Sequence, residues 1–297
     1  MRPAEEGFLL LTSRLGNPER KVLTTAQLRT LAARVHASEI SRENRDLTAA
    51  DLTALGYSEA FAERVVSLMA DGQQLDYYLS LGRRNGCVPL TRAGEQYPLA
   101  VRKRLGEDSP GCLWAKGDLT LLDGPMISLV GSRELNSRNR EFAEEAGSQA
   151  AKQGIVLVSG NARGADKVAQ EACLAAGGRV ISVVADSLQS HREKERILYL
   201  SEDGFDEVFS AQRALSRNRV IHTLGAVTLV AQATLYSGGS WHGTVRNLQN
   251  CWSKVFCFDD ESDASFQLQQ LGAFPVNIGD IHDFSKLAHG QYSLFDE

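Results

Sequence analysis

Met126-Ile127-Ser128-Leu129-Val130-Gly131-Ser132-Arg133 and Ile155-Val156-Leu157-Val158-Ser159-Gly160-Asn161-Ala162-Arg163-Gly164-Ala165-Asp166 read as two apolar strands, each running into a glycine-bearing turn. Between them, the stretch from about Arg138 to Gln153 carries helical spacing, and a second helix follows Asp166 to Ala176. Arg179–Val184 is a third β-branched strand, and Val227–Gln232 and Lys254–Phe258 fit further ones. Strands alternating with helices mean βαβ units and a parallel sheet covered on both faces. The expected fold is therefore α/β, a Rossmann-like doubly wound, mostly parallel sheet.

Outward from this core the character of the chain changes. Residues 86–125 are punctuated by Pro89, Gly94, Pro98, Gly106, Pro110, Gly111, Gly117 and Gly124, and read as a connector or extension of the sheet domain with one short strand near Leu113–Lys116. Residues 1–85 read as short helices only. Thr24-Thr25-Ala26-Gln27 has capping-box spacing ahead of Leu28, Leu31 and Val35. Leu52 to Val65, turning at Gly56 and capped by Ser58, has the pattern of a helix–hairpin–helix; such turns bind DNA backbone or serve packing alone, and packing is the expected role here. The expected division is a helical domain over 1–85, the connector over 86–125, the sheet domain over 126–285 and a tail over 286–297.

Composition bounds the function. Of 297 residues, 43% are hydrophobic and 23% charged, which is ordinary globular usage. No apolar run approaches the ~20 residues of a membrane span, and the start Met1-Arg2-Pro3-Ala4-Glu5-Glu6 has no signal-peptide pattern. The five cysteines form no C-x-x-C pair, which fits free thiols in a cytoplasmic protein without a metal site. A net charge of −5, from 32 basic and 37 acidic residues, argues against broad polyanion binding and leaves a local basic cleft as the route to one.

Ligands of open parallel sheets bind beyond the carboxyl ends of the strands, and three loops leave strands at that edge. Gly131, Ser132 and Arg133 with Ser137 and Arg138 form the first; Ser159, Gly160, Arg163, Gly164 and Asp166 form the second, with Asp166 placed to cap the following helix; Ser237, Gly238, Gly239, Ser240 and Trp241 form the third. Each opens a helix whose free N–H groups attract anions. Arg217, Asn218 and Arg219 add an Arg-x-Arg pair that on an extended chain would project both guanidinium groups to one side. A tight strand-to-helix turn is the plain alternative for any one loop, as burial is for Trp241. No G-x-G-x-x-G with a following acidic residue and no Walker motif occurs, so no cofactor is expected.

Taken in order, Val130-Gly131-Ser132-Arg133, Ser159-Gly160-Asn161-Ala162-Arg163-Gly164-Ala165-Asp166, Arg217-Asn218-Arg219-Val220-Ile221 and Ser237-Gly238-Gly239 resemble the spaced motifs of the DprA (Smf) family of DNA-processing proteins, within the SLOG group of Rossmann-like folds. Tyr97-Pro98 and the strand ending at Gly117 fall where that family has their counterparts, and the resemblance runs roughly from Leu23 to Val276. Ala165, the Ser237–Thr244 stretch and the charged run His191–Arg196 depart from the family pattern and mark a divergent branch, expected to lack the C-terminal winged helix. The resemblance implies a helical SAM-like first domain and a cytoplasmic, non-enzymatic homodimer. It further implies that this dimer binds single-stranded DNA in DNA processing and recombination and hands it to a RecA-type recombinase. On that reading Arg133, Arg163, Arg217 and Arg219 touch the backbone, Ser132, Gly160 and Ser237 donate at helix termini, and Trp241 stacks on a base. The alternative within the same group is a nucleotide sensor, or a Lonely Guy-like nucleotide hydrolase in phage defence, for which Ser237–Thr244 keeps glycines and a threonine without a glutamate close behind. The tail Gln291-Tyr292-Ser293-Leu294-Phe295 resembles peptides that dock on the bacterial sliding clamp through Gln291, Leu294 and Phe295; folding back onto the protein is its other reading.

Overall fold

The computed structural model describes residues 1–42 and 46–289, so the tail residues Gln291, Leu294 and Phe295 lie outside the described residues. The chain divides into two compact units, Met1–Ala115 with Glu202–Glu207, and Lys116–Ser201 with Val208–Glu297. Among the described residues no helix is long and apolar enough to cross a membrane.

The first unit opens with helices α1 (Pro3–Thr12), α2 (Thr25–His36), α3 (Ala49–Ala54), α4 (Glu59–Met69) and α5 (Gly72–Arg84). The start of α2 is set by the capping box: Thr24 Oγ1 accepts from Gln27 N at 3.2 Å and Gln27 Oε1 accepts from Thr24 N at 3.1 Å. Leu28, Leu31, Leu52, Ala62, Val65 and Leu68 bury one shared core, which offsets the ordering of these short helices better than their propensities do. In the α3–α4 hairpin, Gly56 N donates to Thr53 O at 2.9 Å and Tyr57 N to Leu52 O at 3.1 Å. Arg34 closes the outside, donating to Leu55 O at 3.1 Å and Gly56 O at 3.3 Å with its guanidinium 4.6 Å over the Tyr57 ring. The hairpin amides are thus spent inside the protein, which supports packing as the role of this turn.

After α5 come β1 (Cys87–Thr91), α6 (Leu99–Leu105) and β2 (Cys112–Gly117). The irregular connector of the sequence reading therefore gains a strand and a helix. Pro89 hid β1, yet proline suits an edge strand, and β1 has β2 as its one neighbouring strand among the described residues.

The second unit contains β3 (Met126–Val130), α7 (Ser137–Lys152), β4 (Val156–Ser159), α8 (Ala165–Ala175), β5 (Arg179–Val184), β6 (Ile197–Glu202), α9 (Ala211–Ser216), α10 (Asn218–Leu224), β7 (Val227–Val230), α11 (Gly238–Asn250), β8 (Lys254–Phe258), α12 (Asp263–Gln270), β9 (Phe274–Val276) and α13 (Phe284–His289). Its strands are parallel in the order β6-β5-β4-β3-β7-β8-β9. The chain steps outward from β3 to β6, then returns to lay β7 on the other side of β3. The two sheet faces differ chemically. One packs Ile127, Leu129, Leu157, Val180, Leu229 and Phe256 against the alanine-rich faces of α7 and α8. The other buries Val156, Val158, Ile181, Val183 and Val230 together with the hydroxyls of Ser128 and Thr228, and Ser128 Oγ donates to Ile221 O of α10 at 2.5 Å.

Candidate functional site

The switch from outward to returning strands falls between β3 and β7, where the connections diverge and leave a crevice. There the structure opens a cleft of about 520 Å³ whose walls include Gly131, Ser132, Arg133, Asp166, Arg217, Asn218 and Ser237–Ser240. The three loops singled out in the sequence do meet. Their individual side chains, however, divide into those that build the cleft and those that face it.

Gly131 is there because the loops touch: a Cβ on it would stand 2.5 Å from Ala165 Cβ. Ser132 is a joint rather than a ligand donor. Its N and Oγ both donate to Gln232 O, at 2.9 and 3.3 Å, and its carbonyl accepts from Ala165 N at 3.1 Å. Arg133 is exposed and lines the cleft. Ser137 and Arg138 lie outside its lining. Asn136, not Ser137, caps α7 by accepting from Asn139 N at 2.9 Å, and Arg138 turns toward Glu261 at 3.5 Å and the Phe258 ring.

In the second loop Ser159 is fully buried, accepting from Gln170 Nε2 at 2.7 Å, so its hydroxyl ties β4 to α8 and does not face a ligand. Arg163, its side chain 73% exposed, is paired at 2.9 Å with Glu134, which lines the cleft while Arg163 does not. Glu134 was not read from the sequence as a partner. Asp166 is not the cap of α8: Gly164 holds that position. Instead the Asp166 carboxylate accepts from Gly160 N and Ala162 N, both at 3.2 Å, and so caps the loop. Burial pushes its pKa up, opposed by the Arg217 charge, these two amides and Arg133.

Arg217 and Arg219 do not sit on an extended chain. Arg217 has helical dihedrals (φ −64°, ψ −18°) at the start of α10, and residues two apart on a helix point about 200° apart. Arg217 is buried, donates to Gly160 O at 3.0 Å, and fills the space that a Cβ on Gly160 would need, 1.6 Å from its Nη1. Arg219 is half-buried and absent from the cleft walls. Asn218 ties α10 to the third loop by donating to Gly239 O at 3.0 Å.

In that third loop Ser237 starts α11 without a side-chain cap, so the first turn at Gly238, Gly239 and Ser240 presents its N–H end to the cleft. Trp241 is 4% exposed and cannot offer a face to a base; it packs edge-to-face on Tyr236 at 5.3 Å. Among the described residues no group of His, Cys, Asp and Glu is placed to hold a metal ion.

Beneath the cleft lies a buried network that the sequence reading missed. His222 Nδ1 meets Asn247 Nδ2 at 3.1 Å and Thr228 Oγ1 at 3.3 Å. Burial, helped by the Arg217 charge, pushes the imidazole down to about 3. Below its ordinary pKa of about 6.5 the unfolded chain takes up this proton while the native state does not, so stability is present above that pH and lost as pH falls toward 3. One such group contributes up to ~1.4 kcal/mol per pH unit over that window. His222→Gln is expected to flatten the pH dependence of urea unfolding between pH ~6.5 and ~4. Parallel curves for variant and parent would refute this.

Comparison with known proteins gives a consistent result. Residues 89–277 match the family described as DNA recombination-mediator protein A. The DNA processing protein DprA of Bacillus subtilis is 30% identical over 177 residues, 56% of this chain and 59% of that protein. Its Streptococcus pneumoniae counterpart is 34% identical over 141 residues, 44% and 50% of the two chains. The chain thus spans about half the length of these curated relatives. The X-ray structure of DprA from Streptococcus pneumoniae superimposes with a TM-score of 0.73 at 25% identity, covering 98% of this chain and 99% of that one. A structure of DprA from Helicobacter pylori, described for its single-stranded DNA binding mode, superimposes with a TM-score of 0.57 at 26% identity, covering 69% and 97%. The Rossmann-like core, the spaced loop motifs and the match over most of the chain agree: this chain belongs to the DNA recombination-mediator protein A family.

Proposed function

We propose that the cleft holds the phosphate backbone of single-stranded DNA, with little base preference, in DNA processing and recombination. The observation that carries this reading is the uncapped N-terminus of α11 facing the cleft together with Arg133. Backbone N–H groups and a guanidinium suit an anion that repeats along a chain. The other cleft arginine, Arg217, is spent on Gly160. A relative whose structure is described as binding single-stranded DNA has the same fold, which supports the choice of strand over free nucleotide. As the family resemblance implies, the chain acts as a homodimer that delivers the strand to a RecA-type recombinase.

Arg133→Ala is expected to weaken binding to all single strands alike, by ~1–3 kcal/mol. It should lower the slope of log affinity against log salt by ~0.7, one phosphate's worth. Titration of labelled strands of different sequence, with free nucleotides as competitors, measures both. Unchanged affinity and slope, or effective competition by a mononucleotide, would remove the reading.

A further inference from the structure

Tyr236 occupies the left-handed region of backbone space, with φ 55°. It is the third residue of the turn Thr234–Ser237, closed by Ser237 N donating to Thr234 O at 3.0 Å. Glycine or asparagine belongs there, because a Cβ crowds the neighbouring carbonyl. A large ring is held at this position against that preference, and burial does not offset it: Tyr236 is 67% exposed. Such an outlier points from conformation to use.

The surroundings indicate the use. Thr234 and Ser237, the two ends of this turn, both line the cleft, and Tyr236 lies between them in the chain, itself outside the lining. Buried Trp241 backs it, edge-to-face at an interplanar angle of 76°, an arrangement favoured between aromatic rings. On the facing wall Leu215 is also a cleft residue, 51% exposed, and a Cβ on Gly239 would lie 3.6 Å from its Cδ2. The first turn of α11 therefore has the exposed Leu215 beside Gly239 and follows directly on the turn that carries the exposed Tyr236. A single strand presents phosphates and unpaired bases alternately, and a platform for it needs anion-binding groups beside an aromatic face.

Building on the single-strand reading above, we propose that Tyr236 is the base-stacking platform of this cleft, receiving a base of the strand whose phosphates lie at Arg133 and the α11 N-terminus. Trp241 is its support and touches no base. The interaction is sequence-tolerant, since every base has a π-face.

The full chain is titrated with labelled oligodeoxythymidylate and with the same strand carrying abasic spacers, which keeps the phosphates and removes the bases. The parent is expected to prefer the normal strand by about five-fold to a hundred-fold, the range of base–aromatic stacking. Tyr236→Ala and Tyr236→Gly should bring the two affinities together at an unchanged salt slope, and Tyr236→Trp should keep them apart. The glycine variant suits the backbone of the turn, so its loss of preference is not a loss of fold. If the preference for bases survives in both small variants, or if they lose both strands equally, the assignment of Tyr236 is overturned while strand binding stands. If the parent holds neither strand at low salt, the single-strand reading falls, and this inference with it.

Discussion

Gly164→Ala is expected to destabilise the second unit by about 3 kcal/mol or more and to abolish strand binding with it. Gly164 caps α8 with φ 88° and ψ −130°, a conformation that side chains with a Cβ rarely adopt. Space is closed as well as geometry: the added carbon would stand 2.3 Å from Ser132 O and 2.5 Å from the Arg133 carbonyl atoms. Those neighbours are backbone, so they cannot swing away as a side-chain end would. The loop would have to move, and the Ala165 N to Ser132 O bond of 3.1 Å that joins two of the three loops would go with it. Urea unfolding followed by circular dichroism, alongside the strand titration, gives both numbers. A variant that unfolds at the parent's midpoint would show that this junction tolerates displacement, and the close-contact account of the site would be wrong.

Much of the sheet was legible in the sequence because β3, β4, β5, β7 and β8 are buried parallel strands, which read as unbroken apolar runs. β6 was missed because the charged run His191–Arg196 directly precedes it, although Ile197–Glu202 is itself buried throughout. β9 was missed because it is three residues long and carries Pro275. At the site, what could be read was where glycine is required: Gly131, Gly160 and Gly164 all stand where a Cβ would collide, with the Ala165 side chain, the Arg217 guanidinium and the Ser132 and Arg133 backbone respectively. What could not be read was which arginine faces a ligand. Arg163 is captured by Glu134, 29 residues away in sequence, and Arg217 by Gly160, 57 residues away. Such pairings are set by the fold and leave no local pattern. Of the two readings of Trp241, stacking and burial, burial is the outcome, and the exposure of Tyr236 had no local signal for the same reason. Helical phase at the start of α11 is what puts Trp241 inward, and the turn ahead of it is what puts Tyr236 out.

Arg217→Ala should cost about 3–5 kcal/mol, the range for removing one charge from a buried set. Three contributions add. The Gly160 carbonyl loses its donor, now at 3.0 Å. The buried guanidinium leaves a void under the loop. Asp166 loses the largest influence that opposes its desolvation. The last contribution has a sign in pH. A carboxyl whose folded pKa is raised stabilises the native state while protonated, and this is lost as pH rises through the folded pKa; without Arg217 the Asp166 pKa rises further, so the deficit grows with pH. His222 acts in the same sense, because removing Arg217 relieves the depression of its pKa and so softens the parent's acid loss in the variant. The deficit of Arg217→Ala relative to the parent should therefore be larger at pH ~7 than at pH ~5. Asp166→Asn in the same chain removes the stranded charge and is expected to recover part of the deficit at pH ~7, a coupling of ~0.5–3 kcal/mol in the double-mutant cycle. A deficit independent of pH, with additive effects of the two substitutions, would mean that Arg217 only fills space. The loop would then be held by its backbone alone.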